Sequence, residues 1–272
     1  MKGHGGPILA VFAAVLVVIG GIVIVSIATQ TGVVAVVTGP TTTSVRQTSV
    51  RQTASARART TPKPLPATLT GCHPDHGPDQ LAVASADRVN RAWTRIENWL
   101  AAHAPATHLG PPADQPGIVA AQKKVGVAFP AELVASLLRH DGAGRSAGVA
   151  FTFPPFYQVS SVDQIAYEAR MMCDVLTGLD EPGSVSSWWH GQYVPFAVDN
   201  SGDSLFLDQR PGKGGRLGEH DNEGDVNFDR WPTNLTGLLE LTADALETGR
   251  TVLGYVRAHV NPDGVLEWEI IR

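Results

Sequence analysis

Between Tyr193 and Asp208 two apolar runs flank Asp199-Asn200-Ser201-Gly202-Asp203, a spacing that commits this stretch to a tight antiparallel hairpin. Asn and Asp side chains bond their own backbone, and glycine reaches positive φ without steric cost, so the five residues read as a turn. In the second run Leu205 and Leu207 alternate with Phe206, which sends apolar side chains to both faces of the strand. A strand covered on both faces belongs in the middle of a packed sheet. The pattern therefore predicts a central hairpin.

The N-terminal quarter cannot join that core. Residues 8–28 are apolar except for glycines and Ser26, long enough for a helix to cross roughly 30 Å of hydrocarbon. They show no polar face, which argues against a soluble helix. Ser26-Ile27-Ala28 offers small residues of the kind a signal peptidase reads, but the apolar run exceeds the roughly 7–15 residues of a usual signal core. The expectation is an uncleaved single-pass anchor over 8–28, preceded by a short flank, 1–7. The following stretch is rich in Thr, Ser, Ala and Pro and carries the tandem repeat Ser44-Val-Arg-Gln-Thr48, Ser49-Val-Arg-Gln-Thr53. Such a sequence buries too little apolar surface to offset its ordering entropy. Residues 29–83 are thus expected to form a disordered tether, stiffened near its prolines at 62, 64 and 66, with one folded domain over 84–272.

Charge divides along the same line. No acidic residue precedes Asp75, and Lys2, Arg46, Arg51, Arg57, Arg59 and Lys63 give the first 74 residues +6, so the rest of a chain of net −5 carries −11. An acidic globule argues against nucleic acid as a partner and is suited to a basic protein. The arginines after the anchor favour a cytoplasmic C-terminal domain, although Arg46 stands about 18 residues past Ala28, near the limit of the positive-inside rule. Cys72 and Cys173 leave the compartment open: paired they require oxidising surroundings, free they suit reducing ones. Leu69-Thr-Gly-Cys72 mimics a lipoprotein acylation box, but lies too far beyond the apolar run to serve as one.

Helical spacing begins near Ala84. Val89, Trp93, Ile96, Trp99 and Leu100 mark one face, and a Pro/Gly-rich loop to Gly117 ends that helix. A second helix is expected over Ile118–Lys124. A third, Ala131–Arg139, follows Pro130 and turns Leu133, Leu137 and Leu138 inward, with Gly142 as a left-handed cap. Phe151–Phe156 reads as a strand region, Ser161–Met172 as a helix, and Val252–Val260 with Val265–Ile271 as a last hairpin around Asn261-Pro-Asp-Gly264.

In order and spacing, Trp93-x-x-Ile96-Glu97-x-Trp99-Leu100, Phe129-Pro130-x-x-Leu133, Leu137-Leu138-x-His140-Asp141-Gly142, Trp188–His190 and Gly202-Asp203-Ser204-Leu205-x-x-Asp208 resemble the SUKH superfamily, which includes the Smi/Knr cell-wall-assembly regulators. The resemblance runs from about Ala84 to Glu247. It implies an α+β fold, helices packed on a mixed, largely antiparallel sheet. It also implies a binding function: many bacterial members resemble immunity proteins that neutralise polymorphic toxins, and others resemble regulatory scaffolds. Anchor and tether depart from the family pattern.

Sites of chemistry are sparse. Cys72-His73-Pro-Asp75-His76 crowds metal-capable side chains into five residues, whereas tetrahedral zinc favours two separated pairs. Asp199, Asp203 and Asp208 lack the EF-hand spacing. His140-Asp141 suits a helix terminus. Gly212-Lys213-Gly214-Gly215 opens no phosphate loop, and no serine sits in a nucleophile elbow. The expectation is a protein without catalytic residues, metal or cofactor. Glu219, Asp221, Glu223 and Asp225 in one acidic run, with Asp199 and Asp203 in the hairpin turn, are the candidate partner-binding residues. Adjacent Trp188 and Trp189 should point to opposite faces of a strand, and Trp189 is added as a candidate interface anchor. The expected partner is a basic toxin domain or an envelope protein.

Overall fold

A computed structural model describes residues 69–73, 75–144, 149–178 and 188–271. The predicted anchor over 8–28 and the tether up to residue 68 lie outside them; among the described residues no helix is long and apolar enough to cross a membrane. The fold begins earlier than the predicted boundary at 84. Leu69 is buried, the Asp75 amide donates to the Lys123 carbonyl, and the Gln122 side chain donates to the carbonyl of Gln80.

Five helices form among the described residues, three of them, α2, α4 and α5, with a side-chain cap at the N-terminus. α1 (Asp87–His103) buries Val89, Ala92, Trp93, Ile96 and Leu100 along one face. α2 (Gln115–Val125) starts earlier than expected because the Asp114 side chain caps it, accepting from the Gly117 amide, and it ends on Gly126 at φ 79°. α3 (Ala131–Leu137) follows extended Pro130. It stops short of Arg139, so Leu138, expected inward, is exposed. α4 (Val162–Gly178) is entered through a capping box: the Gln164 amide donates to Ser161 Oγ and the Ser161 amide to Gln164 Oε1. Asp141 also serves this terminus, its carboxylate accepting from the Val162 amide at 2.7 Å. α5 (Leu235–Thr248) is capped by Asn234 and closed by Gly249.

The main sheet is a meander of six strands in chain order, β1 (Thr152–Phe153), β2 (Tyr157–Val159), β3 (Tyr193–Val198), β4 (Ser204–Asp208), β5 (Arg216–His220) and β6 (Val226–Asn227). Every ladder is antiparallel, and the one parallel contact among the described residues is the isolated bridge His108–Ala150. Trp188–His190, expected in a strand, precedes β3 as a turn. Pro195 sits inside a central strand, where it would break the ladder, and the register shifts between Pro195 and Ala197 to form a bulge. A two-stranded sheet, β7 (Val256–Val260) with β8 (Leu266–Ile270), completes the α+β architecture.

The central hairpin is covered on both faces. Val194, Phe196, Leu205 and Leu207 face a large core with α1, α2, α3, α5 and the C-terminal hairpin. Tyr193 and Phe206 face a smaller core with Leu69, Met172, Leu176 and Trp189. α4 spans the two, placing Ile165 and Ala169 in the first and Met172 and Leu176 in the second. Cys72 and Cys173 are joined by a disulfide across this second layer, closing 101 residues of sequence. Cross-linking a loop of that length removes unfolded-state entropy equivalent to about 4–5 kcal/mol. Cys173→Ser should therefore lower the urea-unfolding free energy by about 2–5 kcal/mol, and added reductant should reproduce that loss in the unaltered protein while leaving the variant unchanged.

Candidate functional site

Strand register gathers three turns at one end of the sheet. Gln158 pairs with Val198, so the β1–β2 turn, Pro154–Phe156, stands beside the β3–β4 turn. Ser204 pairs with His220, which sets the β5–β6 turn on the other side. The Asn222 amide donates to Asp203 Oδ1 at 2.9 Å, tying the second turn to the third. Asp199 shapes its own turn, accepting from the amides of Ser201 at 2.8 Å and Asp203 at 3.0 Å.

Five of the seven predicted residues come together here: Asp199 and Asp203 on one turn, Asp221, Glu223 and Asp225 on the next. The other two are corrections. Trp189 is fully buried, its ring 5.5 Å from Phe206 and 5.3 Å from Tyr193, so it packs the second core and presents nothing to a partner. Glu219 is also buried. It accepts from the Tyr157 hydroxyl at 2.6 Å and from Arg230 Nη1 at 3.1 Å, and Arg230 in turn donates to the Tyr255 hydroxyl. Tyr157 lies on β2 and Glu219 on β5, so this contact spans a sheet that curls upon itself. Burial first, and the Glu219 carboxylate next, push the Tyr157 hydroxyl far above its ordinary pKa, so it stays a donor.

Two aromatic residues of this end were missed. Phe156, at the tip of the β1–β2 turn, is half exposed, and Trp188 is partly exposed with its indole N–H directed at the Asn222 carbonyl. Pro154-Pro155-Phe156 did carry a signal, since a proline pair marks a turn and sets the next residue at its tip.

Charge balance differs between this end and the α1–α5 face. Glu240, Asp244 and Glu247 of α5 are matched by Arg88 and Arg95 of α1, Glu97 by Arg139, Asp208 by Arg210, and Asp229 by Arg216. Asp199, Asp203, Asp221, Glu223 and Asp225 enter no ion pair among the described residues, and the three turns hold no Lys or Arg. The acidic side chains that were separable by sequence only as a run thus form a negative end whose field is not cancelled locally. His140 and Asp141 serve structure instead: His140 bonds Glu97 and the Gly110 carbonyl, and Asp141 caps α4. Cys72 is committed to its disulfide.

His220 lies directly beneath this end. It is fully buried, neither ring nitrogen has a hydrogen-bond partner, and the rings of Trp188 and Trp189 stand 5.0 and 5.3 Å away. Burial holds its pKa below the ordinary value, and the nearby Asp203 and Asp221 carboxylates offset only part of that.

Residues 112–236 match the model of the SMI1 / KNR4 family (SUKH-1). The match opens just before α2, contains the whole six-stranded sheet and its three acidic-end turns, and closes at the start of α5. No curated protein matches the chain.

These contacts separate structural from surface carboxylates. Glu219→Ala leaves the Arg230 and Tyr157 partners unsatisfied and should cost about 2–3 kcal/mol in urea unfolding; Asp221→Ala should stay within about 0.5 kcal/mol. A histidine with a depressed folded pKa is protonated more readily in the unfolded chain. Its stabilisation is therefore complete above about pH 6.5 and declines as pH falls from there through the lower folded value. Unfolding curves at about pH 7.5 and about pH 5.5 should show that decline, and His220→Phe should reduce it.

Proposed function

Because the domain belongs to the SUKH superfamily, we propose that this chain is a protein-binding module, tethered to a membrane through residues 8–28, that neutralises a protein toxin by receiving its basic surface on the three-turn end. The observation that carries this reading is the group of five carboxylates without a cation, set beside the half-exposed Phe156. Net negative charge steers a basic partner into encounter and fixes its orientation, while an aromatic side chain amid polar surface provides the area that a partner can desolvate. No step of this function asks for a catalytic residue or a cofactor. Neutralisation needs only that the bound domain cover the partner's basic cleft.

A second reading, a scaffold or regulator of envelope assembly, uses the same face and is favoured by the Cys72–Cys173 disulfide, because envelope proteins are met in oxidising surroundings. The identity of the partner separates the two: a basic effector domain supports neutralisation, envelope enzymes support scaffolding.

The test is capture of partners from cells by purified residues 69–272, followed by affinity measurement with the partner so identified. The Asp199→Asn/Asp221→Asn/Asp225→Asn variant should bind about 10- to 100-fold more weakly at low salt, chiefly through a slower association rate, and the difference should narrow as salt rises. Phe156→Ala should cost about tenfold at any salt. Unchanged affinity in the triple variant, with folding intact, would remove the acidic end from the interface.

A further inference from the structure

Cys72 and Cys173 are the only cysteines of the sequence. They are 101 residues apart along the chain, yet their Cα atoms stand 5.5 Å apart and their sulfurs are bonded. Packing on several sides shows that the chain is built to bring them together. A Cβ on Gly71 would lie 2.3 Å from the Gly191 carbonyl oxygen, and one on Gly191 would lie 2.6 Å from Cys72 Sγ. The two backbones therefore approach this closely only because both positions are glycine. Leu69 buries its side chain with Met172 and Leu176, on either side of Cys173 along α4, and the Cys72 amide returns to the Leu69 carbonyl at 2.9 Å. Lys124 and Val125, from the end of α2, line the cleft beside the disulfide. Among the described residues no group of His, Cys, Asp and Glu is placed to hold a metal ion.

A structural disulfide forms and persists in an oxidising compartment, whereas cytosolic reductants keep such pairs as thiols. We propose that the folded domain lies on the oxidising, outer side of the membrane, so that residues 8–28 anchor it, the Thr/Ser/Pro-rich segment is an external stalk, and its protein partner is secreted or resident in the envelope. This orientation is opposite to the one the tether arginines favour. Those arginines begin about 18 residues beyond Ala28, where the positive-inside rule loses force, and a covalent bond between the only two cysteines outweighs them. The orientation stands on the disulfide alone; the partner's compartment rests also on the binding function proposed above.

The test uses the full chain in the cells that make it, exposed to a membrane-impermeant maleimide before and after a membrane-impermeant reductant. The expected result is no label on intact cells without reduction and label at Cys72 and Cys173 after it. A second probe does not require the disulfide to open: Thr53→Cys in a Cys72→Ser/Cys173→Ser background should be labelled on intact cells without any reductant. Label at Cys72 or Cys173 without reduction, or label at any of the three positions that appears only after lysis, overturns the proposal. Capture of a partner by the purified oxidised domain is measured apart from topology, so either proposal can fail while the other stands.

Discussion

Two-faced burial of the β3–β4 hairpin is the constraint on which the rest of the structure depends. Val194, Phe196, Leu205 and Leu207 need an apolar layer on one side, and Tyr193 and Phe206 need one on the other. The first layer is assembled from the apolar faces of α1, α2, α3 and α5. The second is smaller, and helix α4 alone does not complete it: Leu69 and Trp189 are drawn from segments outside regular structure. This explains why the residues just before the first helix belong to the fold. It also explains where a covalent link matters most, since the thinner layer has less apolar area to hold it in place and the Cys72–Cys173 bond joins two of its parts.

The curl of the sheet then decides which polar residues are free. Tyr157, Glu219, Arg230 and Tyr255 form a chain of contacts that spans β2, β5 and the C-terminal region, and this chain consumes the one carboxylate of the acidic run that points inward. Two residues further along, the strand has ended and the carboxylates turn to solvent. Arginine neutralises five helix carboxylates, Glu97, Asp174, Glu240, Asp244 and Glu247, and leaves the turn end uncompensated. Mutual repulsion among five like charges is a cost to folding; Asp199, Asp203 and Asp221 offset part of it by accepting backbone amides, and an arriving cationic surface would relieve the remainder.

What could be read in the sequence follows from the range of the forces involved. The central hairpin was legible because turn chemistry and strand alternation are local, and Leu205, Phe206 and Leu207 fall on the faces their alternation predicts. Helix α1 follows from its apolar spacing within a few residues, whereas α5 is not among the helices that the spacing predicts. By contrast, Glu219 and Asp221 stand two positions apart in one acidic run, and only the Tyr157 hydroxyl, 62 residues away, distinguishes them. Trp188 and Trp189 were expected to part to opposite faces, but which of them joins the core depends on the position of Tyr193 and Phe206. Asp141 looks like a helix-end residue of α3 and instead caps α4. Each of these three is a contact made across the fold, which no local pattern encodes, whereas Phe156 carried a local signal in its proline pair.

The placement of the entering chain gives the acidic end its direction. Gly71 rests on Gly191 and Gln192, immediately before β3, and the Gln209 amide donates to the Gln192 carbonyl at the end where β4 leaves the sheet. The acidic turns stand at the other end of β3, a strand of six residues, which at about 3.3 Å per residue is about 20 Å away. The disulfide holds Cys72 at the first end, away from the turns. Under the tethering proposed above, Phe156 and the five carboxylates would stand at the end of the sheet opposite the attachment point, where a large basic partner could reach them.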